Sequence, residues 1–407
     1  MLVLRRERSA PGSGRNSGII VELQARVIDS LTEVAASEWD ACARWSAADG
    51  ENPFVSHAFL SALEKSGSVG RRSGWLPQYL LLEDDHGHLL AACPLYLKGH
   101  SSGEYVFDHG WAEAYERAGG RYYPKLQVAV PFTPVPGPRL LVRAGPGERA
   151  IRGALIEALI STASRSKLSS LHLTFCTDDE AATLHDAGLL HRLGVQYHWQ
   201  NQGYGSFDDF LAALNSRKRK AIRKERAAIG NYGLTLRQLS GAEIEPRHWD
   251  AFFAFYMDTG SRKWGSPYLT RRFFDLIGTT LSDHVVLMLA EKDGRPVAGA
   301  LNLRGRDALY GRNWGCLAEF RFLHFELCYY QAIDYAIAHG LARVEAGAQG
   351  EHKIQRGYLP VATHSAHWIA DPAFRDAVAE FLKRETRVLE NEMAELASYG
   401  PFRQSDE

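Results

Sequence analysis

Long hydrophobic runs are missing from this sequence, and its apolar stretches are far shorter than the roughly 18 residues that a membrane-spanning helix needs. Residues 1–18 mix Arg, Ser, Gly and Pro and lack the apolar core of a secretory signal. The 5 cysteines are an odd number and form no CxxC pair, which argues against a disulfide framework and against a zinc site. We therefore expect a soluble, cytoplasmic protein with buried thiols and no bound metal.

A charge excess of either sign is also missing, since 47 Lys and Arg offset 48 Asp and Glu. No global field draws the chain to nucleic acid or membrane, so any such binding must come from a local patch. The composition, 45% hydrophobic and 23% charged, is that of an ordinary globular protein. The length of 407 residues predicts two domains, or one large domain with a long insertion.

A weak internal repeat divides the chain into two halves. Trp39-Asp40-Ala41 recurs as Trp249-Asp250-Ala251, and a helix cap expected at Ser56 is echoed at Thr270. A hairpin pattern follows in each copy, at a nearly constant offset, over residues 79–93 and 285–301. Three matching features in the same order indicate a duplication.

Each copy continues with a helix and a strand, expected over 152–164 and 171–175 in the first and over 322–339 and 342–346 in the second. This order is typical of an α+β unit with a mostly antiparallel sheet. We predict a disordered tail over residues 1–19, an N-terminal domain over 20–205 and a C-terminal domain over 206–407 that ends in a helix. The proline-rich stretch 131–138 predicts a rigid loop where substrate contacts are common.

The densest charge in the chain is a basic run over residues 217–226. Apolar residues at helical spacing precede it, which predicts the C-terminal part of one helix, where cations suit the helix dipole. A solvated basic face is the ordinary interpretation of such a run. Its density favours contact with a polyanion, either RNA or the phosphates of a cofactor, through Arg217, Arg219 and Arg223.

A second candidate site follows the strand expected at residues 308–310. Residues 311–316 read as a turn that leads to a helix N-terminus, an arrangement that presents backbone N–H groups to an anion near Arg312 and Gly315. A tight turn in which Gly315 only permits positive φ is an equal alternative. Glu326 lies at the helix start, where a capping carboxylate is favoured over a metal ligand.

The third candidate site spans residues 344–358, where small residues and glycines precede several polar side chains. Lys353 and Arg356 are three apart and would share one face of a helical turn as a phosphate clamp. Glu345 or His352 would then be the base. Alternatively, the glycines only turn the chain and the charges are solvated.

The chain resembles the FemAB-like predicted N-acyltransferases, a bacterial group often labelled peptidoglycan biosynthesis or recognition proteins. The resemblance covers about residues 52–384 and depends on long runs. These are Asn52-Pro53-Phe54, Pro94-Leu95-Tyr96-Leu97-Lys98, residues 103–108, Tyr122-Tyr123-Pro124-Lys125-Leu126-Gln127, Pro131-Phe132-Thr133-Pro134, Ser216-Arg217-Lys218-Arg219-Lys220, Arg262-Lys263-Trp264-Gly265, Leu323-His324-Phe325-Glu326 and residues 345–353.

The resemblance implies two tandem GNAT-type domains, which agrees with the duplication. Fem-type enzymes move an amino acid from aminoacyl-tRNA to an amine of a peptidoglycan precursor, whereas ordinary GNAT enzymes use acyl-CoA and a Gln/Arg-x-x-Gly-x-Gly/Ala motif. Residues 312–317 occupy the corresponding place but end in Leu317, which argues against CoA. Neither carrier would be a permanently bound cofactor.

These observations lead to one assignment of roles in an N-acyl or aminoacyl transfer. The donor would be held by Arg312, Gly315, Lys353 and Arg356 with the basic helix, and the amine proton would go to Glu326, Glu345 or His352, with Lys353 also in the catalytic group. Transfer to an amine needs no covalent intermediate, so the absence of a nucleophile motif is no objection. The acceptor would contact the residues Asp108, Tyr122, Tyr123, Thr133 and Trp264.

Two other functions remain open from the sequence. One is an acetyl-CoA-dependent acetyltransferase that acts on a small amine or a protein lysine. The other is a non-catalytic protein that binds RNA or a cell-wall precursor, since a fold does not fix a function. In a duplicated enzyme only one copy need be active, and the polar loops of the second copy favour that one.

Overall fold

The computed structural model describes residues 2–8, 19–46, 48, 50–263, 267–348 and 350–403, which form an α+β structure. The strands are β1 (Leu2–Arg8), β2 (Ile19–Ile28), β3 (Trp75–Pro77), β4 (Tyr79–Glu83), β5 (Leu89–Cys93), β6 (Leu95–Lys98), β7 (Lys125–Val128), β8 (Leu141–Val142), β9 (Ser170–Cys176), β10 (Leu190–Gln200), β11 (Leu234–Ser240), β12 (Val285–Lys292), β13 (Arg295–Arg304), β14 (Ala308–Cys316), β15 (Arg343–Glu345) and β16 (Leu359–Ile369).

The helices follow the same numbering along the chain. They are α1 (Ala36–Ala43), α2 (His57–Lys65), α3 (His109–Arg117), α4 (Glu148–Arg165), α5 (Asp178–Asp186), α6 (Phe207–Ala213), α7 (Ser216–Gly230), α8 (Pro246–Lys263), α9 (Arg271–Thr280), α10 (Leu323–Phe325), α11 (Gln331–Ala338) and α12 (Pro372–Ser398). A π-helical turn, Glu326–Tyr330, joins α10 to α11. In the described part of the chain, no helix combines the length and the apolar character needed to cross a bilayer.

The chain divides into two compact units that are not contiguous in sequence. Unit 1 contains Met1–Ala48, Phe54–Gly194 and Thr363–Arg387, and unit 2 contains Asp49–Pro53, Val195–Ala362 and Val388–Glu407. The predicted boundary at residue 205 differs from this division. The long strands β10 and β16 and the helix α12 each contribute residues to both units, so no single cut separates the units.

The N-terminal residues also differ from the prediction. Residues 2–8 form β1, which pairs with β2 in an antiparallel register from Leu2 opposite Ala25 to Arg8 opposite Ile19. A disordered tail therefore does not describe these residues. The rest of the predicted tail, residues 1 and 9–18, lies outside the described part of the chain.

Unit 1 contains two sheets. One has the order β1-β2-β4-β5-β8 and is antiparallel throughout. In the other, β3, β6, β7, β9 and residues 363–369 of β16 are neighbours in that order, and β7 runs parallel to β9. Helices α1 and α2 lie between β2 and β4 in sequence, and the Ser56 hydroxyl caps α2 by accepting from Phe59 N, as predicted.

Unit 2 repeats this element order. Its strands have the order β11-β12-β13-β14-β15, followed by residues 195–200 of β10, and β14 runs parallel to β15. Helices α8 and α9 lie between β11 and β12 in sequence, and Thr270 caps α9 as Ser56 caps α2. In both units a helical segment connects the two parallel strands. The structure therefore shows the predicted duplication of an α+β unit.

The basic run does not belong to the helix that precedes it. The chain leaves the helical conformation at Leu214, and Asn215 begins α7 by accepting a hydrogen bond from Lys218 N at 3.0 Å. The basic residues therefore lie at the N-terminal end of α7, not in the C-terminal part of one longer helix. An Asn cap competes well with continuing the helix because its side chain satisfies an N–H group that would otherwise lack a partner.

Residues 311–316 were predicted to form a turn, but they complete β14. The reason is a close approach between β14 and α8. A Cβ on Gly315 would overlap the carbonyl oxygen of Phe255, so the strand can lie against the helix backbone only where no side chain intervenes. Gly315 does not have a positive φ. The packing of β14 against α8 therefore explains why residue 315 is a glycine.

Replacing Gly315 with Ala is expected to destabilise the protein by about 1–3 kcal/mol, because β14 and α8 must separate to admit the methyl group. Chemical denaturation of both proteins measures this difference. Gly230→Ala is the matched control, since a Cβ at that position in α7 meets nothing within 4 Å. Equal stability of Gly315→Ala and Gly230→Ala would contradict the packing explanation.

Candidate active site

In unit 2 the parallel pairing of β14 with β15 ends part-way along β14. β15 pairs in parallel with residues 308–310 of β14 only, so among the described strands β13 is the sole neighbour of residues 311–316. After β15 the chain turns through Gly347 into a 3-10 helix, Glu351–Arg356. We call the region bounded by residues 311–316 and 345–356 the β14–β15 cleft. Most of the residues predicted for donor binding or catalysis lie in it or beside it.

Glu345, the last residue of β15, is a buried carboxylate in this cleft. Its Oε1 accepts a hydrogen bond from Arg343 Nε at 2.9 Å, while its Oε2 has no hydrogen-bond donor among the described residues. Burial raises the pKa of Glu345, and Arg343 only partly offsets the rise. A carboxylate with a raised pKa and one uncommitted oxygen has the properties of a general base.

His198 lies beside Glu345 on the neighbouring strand, with its Nε2 3.8 Å from Glu345 Oε2. Burial lowers the pKa of His198 to about 3, and the charges of Arg343 and Lys353 add to the effect. The ring is therefore neutral near pH 7. The sequence analysis did not identify His198, because Glu345 is far from it in sequence and the two residues meet only through the pairing of β10 with β15.

Lys353 braces the turn that follows β15. Its ammonium donates to the carbonyl oxygens of Ala346 at 2.5 Å and Gly347 at 3.1 Å. The side chain is buried, which lowers the pKa of Lys353 to about 8. Lys353 thus fixes the backbone of the cleft wall.

Arg356 contacts a different part of unit 2. Its guanidinium donates to both carboxylate oxygens of Glu225 on α7, at 2.8 and 2.9 Å, and lies 3.4 Å from the ring centre of Phe325. Tyr330 donates to the same carboxylate. Lys353 and Arg356 thus contact different groups, and their joint role as a phosphate clamp stays a prediction. Arg356 ties the cleft to the basic helix.

Glu326 is the first residue of the π-helical turn and anchors α7 in the same way. Its Oε1 accepts from Arg226 Nη2 at 3.0 Å and from Gln331 Nε2 at 2.8 Å. Its Oε2 has no hydrogen bond to the described residues. Arg226 also donates to Asp334 at 2.7 Å. The contacts show Glu326 pairing with α7, and its predicted part in catalysis stays a prediction.

His352 packs among aromatic rings at the other end of the cleft. Its Nε2 lies 3.0 Å from the Tyr329 hydroxyl, and its ring centre is 5.4 Å from that of Phe325. Burial, Arg356 and Lys353 together lower its pKa. The imidazole is therefore neutral near pH 7 and able to accept a proton.

Helix α7 presents a basic face in unit 2. Arg217, Lys220 and Lys224 are exposed and recur at helical spacing, while Arg219 is half-buried. Arg223 is exposed and donates to Asp208 at 3.0 Å. Arg217 and Arg219 lie in the first turn of α7, where they add to the positive end of the helix dipole, an arrangement that costs stability and attracts anions.

Four residues predicted to bind the acceptor lie in unit 1 and are tied into internal contacts. Asp108 accepts from Lys125 at 2.5 Å and from Tyr122 OH at 2.6 Å. Tyr123 OH lies 2.8 Å from Ser101 Oγ, and Thr133 Oγ1 donates to Pro131 O at 3.0 Å. Trp264, the fifth predicted acceptor residue, lies outside the described part of the chain.

The contacts of Asp108 reveal a polar cluster in unit 1 whose other members the sequence analysis did not assign. Lys98, Glu104, Lys125, His172 and His367 are each at most 3% exposed. A weak signal was present, since Lys98 and His172 interrupt otherwise apolar strands. Within the described residues, no group of three or more His, Cys, Asp or Glu is placed to hold a metal ion.

A family model for FemAB-like proteins, described as peptidoglycan biosynthesis/recognition, matches residues 30–404. The chain belongs to this family. Among proteins with curated functions, none matches it in sequence.

Solved structures share the fold of this FemAB-like protein at low identity. FemX is 12% identical with a TM-score of 0.54, and the match covers 85% of this chain and 98% of FemX. The C-terminal domain of a putative lysylphosphatidylglycerol synthetase from Agrobacterium fabrum is 10% identical with a TM-score of 0.53, over 87% and 97%. A tandem GNAT protein from the clavulanic acid biosynthesis pathway is 13% identical with a TM-score of 0.46, over 86% and 99%. The tandem α+β fold predicted from the sequence is confirmed, and FemX and the synthetase domain share it.

The neutral state of His198 predicts a pH dependence of stability. Between pH 6.5 and about 3 the unfolded chain binds a proton at His198 that the folded chain excludes, so the free energy of unfolding falls as the pH falls. The contribution is about 1.4 kcal/mol per pH unit once the pH is well below 6.5. His198→Gln removes it, and the slope of stability against pH should become shallower by up to one proton.

Denaturant unfolding between pH 6.5 and 4 measures this slope for both proteins. His86→Gln, which changes an exposed histidine, is the control and should keep the wild-type slope. An unchanged slope in His198→Gln would mean that the ring is protonated in the folded protein.

Proposed function

We propose that this FemAB-like protein is an N-acyltransferase that moves an aminoacyl group from a tRNA to an amine. The observation that carries the proposal is the direct link in unit 2 between the basic face of α7 and the β14–β15 cleft. Glu225 faces the cleft and pairs with Arg356, while Arg217, Lys220 and Lys224 on the same helix are exposed. A polyanionic carrier on α7 would thus be held beside the cleft.

Glu345 is the favoured proton acceptor of the four predicted catalytic residues. Both Glu345 and Glu326 are buried, and each has one oxygen without a hydrogen-bond donor among the described residues. Glu345 is favoured because its pKa is raised and its other oxygen accepts only from Arg343, whereas Glu326 Oε1 accepts from both Arg226 and Gln331. Lys353 would keep the cleft wall in place through the Ala346 and Gly347 carbonyls. His352 is the alternative base.

The protonation balance of the transfer is simple. An alkylammonium acceptor loses two protons when its nitrogen forms the new amide bond. One proton goes to Glu345, and the other leaves with the carrier oxygen whose bond to the acyl carbon breaks. The carrier is thus released as an alcohol, and the base ends protonated.

The family description and the fold neighbours support this class of reaction. The family model is described as peptidoglycan biosynthesis/recognition, and the fold neighbours are FemX and the C-terminal domain of a putative lysylphosphatidylglycerol synthetase. An amine of a peptidoglycan precursor is the acceptor that the family description favours. The acceptor would contact unit 1, where the predicted residues Asp108, Tyr122, Tyr123 and Thr133 lie.

Acyl-CoA is the second candidate donor, since the splayed parallel pair of β14 and β15 offers the same opening to either carrier. Two observations favour the tRNA. The chain departs from the CoA motif at Leu317, and residues 312–316 lie in a strand, so this stretch does not form the turn that would cradle a pyrophosphate.

Thermal unfolding with three ligands tests the donor. At fixed salt, aminoacyl-tRNA should stabilise the protein saturably and more than the uncharged tRNA does, by roughly 2.7 kcal/mol at a hundred times the dissociation constant. Acetyl-CoA should give no saturable shift. If only acetyl-CoA stabilises the protein, the donor is acyl-CoA and the tRNA proposal fails.

Replacing Lys220 with Ala tests the basic face. The affinity for tRNA should fall, and the slope of log K against log salt should decrease by about 0.7–1, because one phosphate contact is lost. Lys65→Ala, an exposed lysine on α2, is the control and should leave both quantities unchanged. If Lys220→Ala and the wild type have the same salt slope, α7 does not contact the tRNA as proposed.

A further inference from the structure

One sheet of unit 1 has an unusual composition on its two faces. Along β6, β7, β9 and β16 the side chains alternate between the two faces, apart from a register shift in the pairing of β16 with β9 between His364 and Ser365. One face carries apolar side chains that join the hydrophobic core, namely Leu95, Leu126, Val128, Leu171, Leu173 and Ala366. The other face carries polar side chains, namely Tyr96, Lys98, Lys125, Gln127, Ser170, His172, Thr174, Ser365 and His367.

This polar face is not solvated. Each of its nine residues is at most 5% exposed. Trp111 on α3 packs against His367 with ring centres 5.0 Å apart and belongs to a small apolar cluster that includes Val378 and Leu382 of α12. Burying so many polar groups costs free energy, and they would be replaced by apolar residues if stability alone decided the composition.

Two of the polar residues are lysines that lie directly opposite each other. Lys98 on β6 pairs in register with Lys125 on β7, and both side chains are fully buried. Like charges in this position repel. Carboxylates from the segment 99–108 compensate them, since Lys125 donates to Glu104 at 2.8 Å and to Asp108 at 2.5 Å.

Lys98 is held less firmly than Lys125. Its ammonium donates to Ser102 O at 3.0 Å and lies 3.8 Å from the Trp75 ring centre, but it is 3.8 Å from Glu104 Oε1, beyond hydrogen-bonding distance. Burial lowers the pKa of Lys98 to about 7, and Glu104 only partly offsets this. Burial likewise raises the pKa of Glu104 to about 7.

Three oxygen atoms in this cluster have no hydrogen-bond donor among the described residues. They are Glu104 Oε1, Asp108 Oδ1 and Gln127 Oε1. Glu104 and Asp108 share the Lys125 ammonium, which keeps their carboxylates close together. Buried acceptors without donors are rare in folded proteins and require an explanation. Their common need is a ligand that brings several N–H donors.

We propose that the buried polar face of unit 1 is a binding site for a primary ammonium group, with Glu104 Oε1, Asp108 Oδ1 and Gln127 Oε1 as its hydrogen-bond acceptors. An ammonium has three donors, which matches three acceptors. The assignment deepens the proposed function and depends on it in one respect, namely that the acceptor of the transfer carries this ammonium in addition to the amine whose proton goes to Glu345.

The charge of the cluster determines how such a ligand binds. With both lysines and both carboxylates ionised the site is neutral, so an incoming ammonium competes with Lys98 for Glu104. Glu104 is 3% exposed, so the ligand reaches it when the segment 99–108 moves outward. That segment has two exposed residues, Tyr105 and Phe107, between its two buried carboxylates, and a third, Ser102, before them.

Binding of n-butylammonium chloride tests the site without any acyl donor. Thermal unfolding of the full chain is followed at pH 7, where Lys98 is still partly charged, against n-butanol, which has the same carbon chain, and against potassium chloride at equal ionic strength. The ammonium should stabilise the wild-type protein saturably, and neither control should. Equal shifts with n-butanol or with potassium chloride, or no saturable shift with the ammonium, would overturn the proposal.

Two substitutions should move the affinity in opposite directions. Glu104→Gln removes a negative charge from the site and should weaken binding of the ammonium roughly tenfold or more. Lys98→Met removes the competing cation and should strengthen binding by a similar factor. A general loss of structure would weaken binding in both variants, and that outcome would count against the site.

The matched controls are Glu116→Gln and Lys65→Met, which change exposed residues of unit 1. Both variants should bind n-butylammonium as tightly as the wild type does. If Glu104→Gln does not fold, the comparison of n-butylammonium with n-butanol on the wild type and on Lys98→Met still tests the site. The test is separate from the proposed function. If the ammonium binds but no transfer is detected, the ammonium site is supported and the proposed function is wrong. If transfer occurs without ammonium binding, the proposed function is supported and the ammonium site is wrong.

Discussion

The parallel pairing of β14 with β15 is the constraint on which the candidate site of unit 2 depends. Two parallel neighbours cannot be joined by a tight turn, so the chain must cross over through the helical segment from α10 to α11. The pairing stops after three residues, which frees the rest of β14 on one side. The same crossover brings Glu326 against α7, and the chain after β15 brings Arg356 to the same helix. The parallel pairing therefore determines both the β14–β15 cleft and the position of the basic helix beside it.

In unit 1 the corresponding parallel pair, β7 with β9, supports a different kind of interior. Lys125 supplies the charge that allows Glu104 and Asp108 to remain buried, and these carboxylates in turn allow two lysines to face each other. The two copies of the fold therefore differ in where their charged residues lie. Unit 2 exposes cations on a helix, whereas unit 1 encloses a balanced set of charges.

Local features were predictable from the sequence, and features set by distant partners were not. The caps at Ser56 and Thr270 and both hairpins depend on neighbouring residues, and the structure contains them. The strand through Gly315 resembled a turn because its partner, Phe255, is far away in sequence. The break at Asn215 was hidden by apolar spacing that continues to Leu214. The family resemblance located the runs around Lys98 and Lys125, but only the register of β6 and β7 shows that these lysines meet.

The discontinuous composition of unit 1 has a consequence for biosynthesis. Its sheet includes residues 363–369 of β16, which follow the segment 195–362 of unit 2 in the chain. The ribosome must therefore synthesise that segment of unit 2 before the strand beside His172 can be added, so unit 1 cannot be completed first. Until then β9 presents an unpaired edge, where a growing chain can pair with another chain.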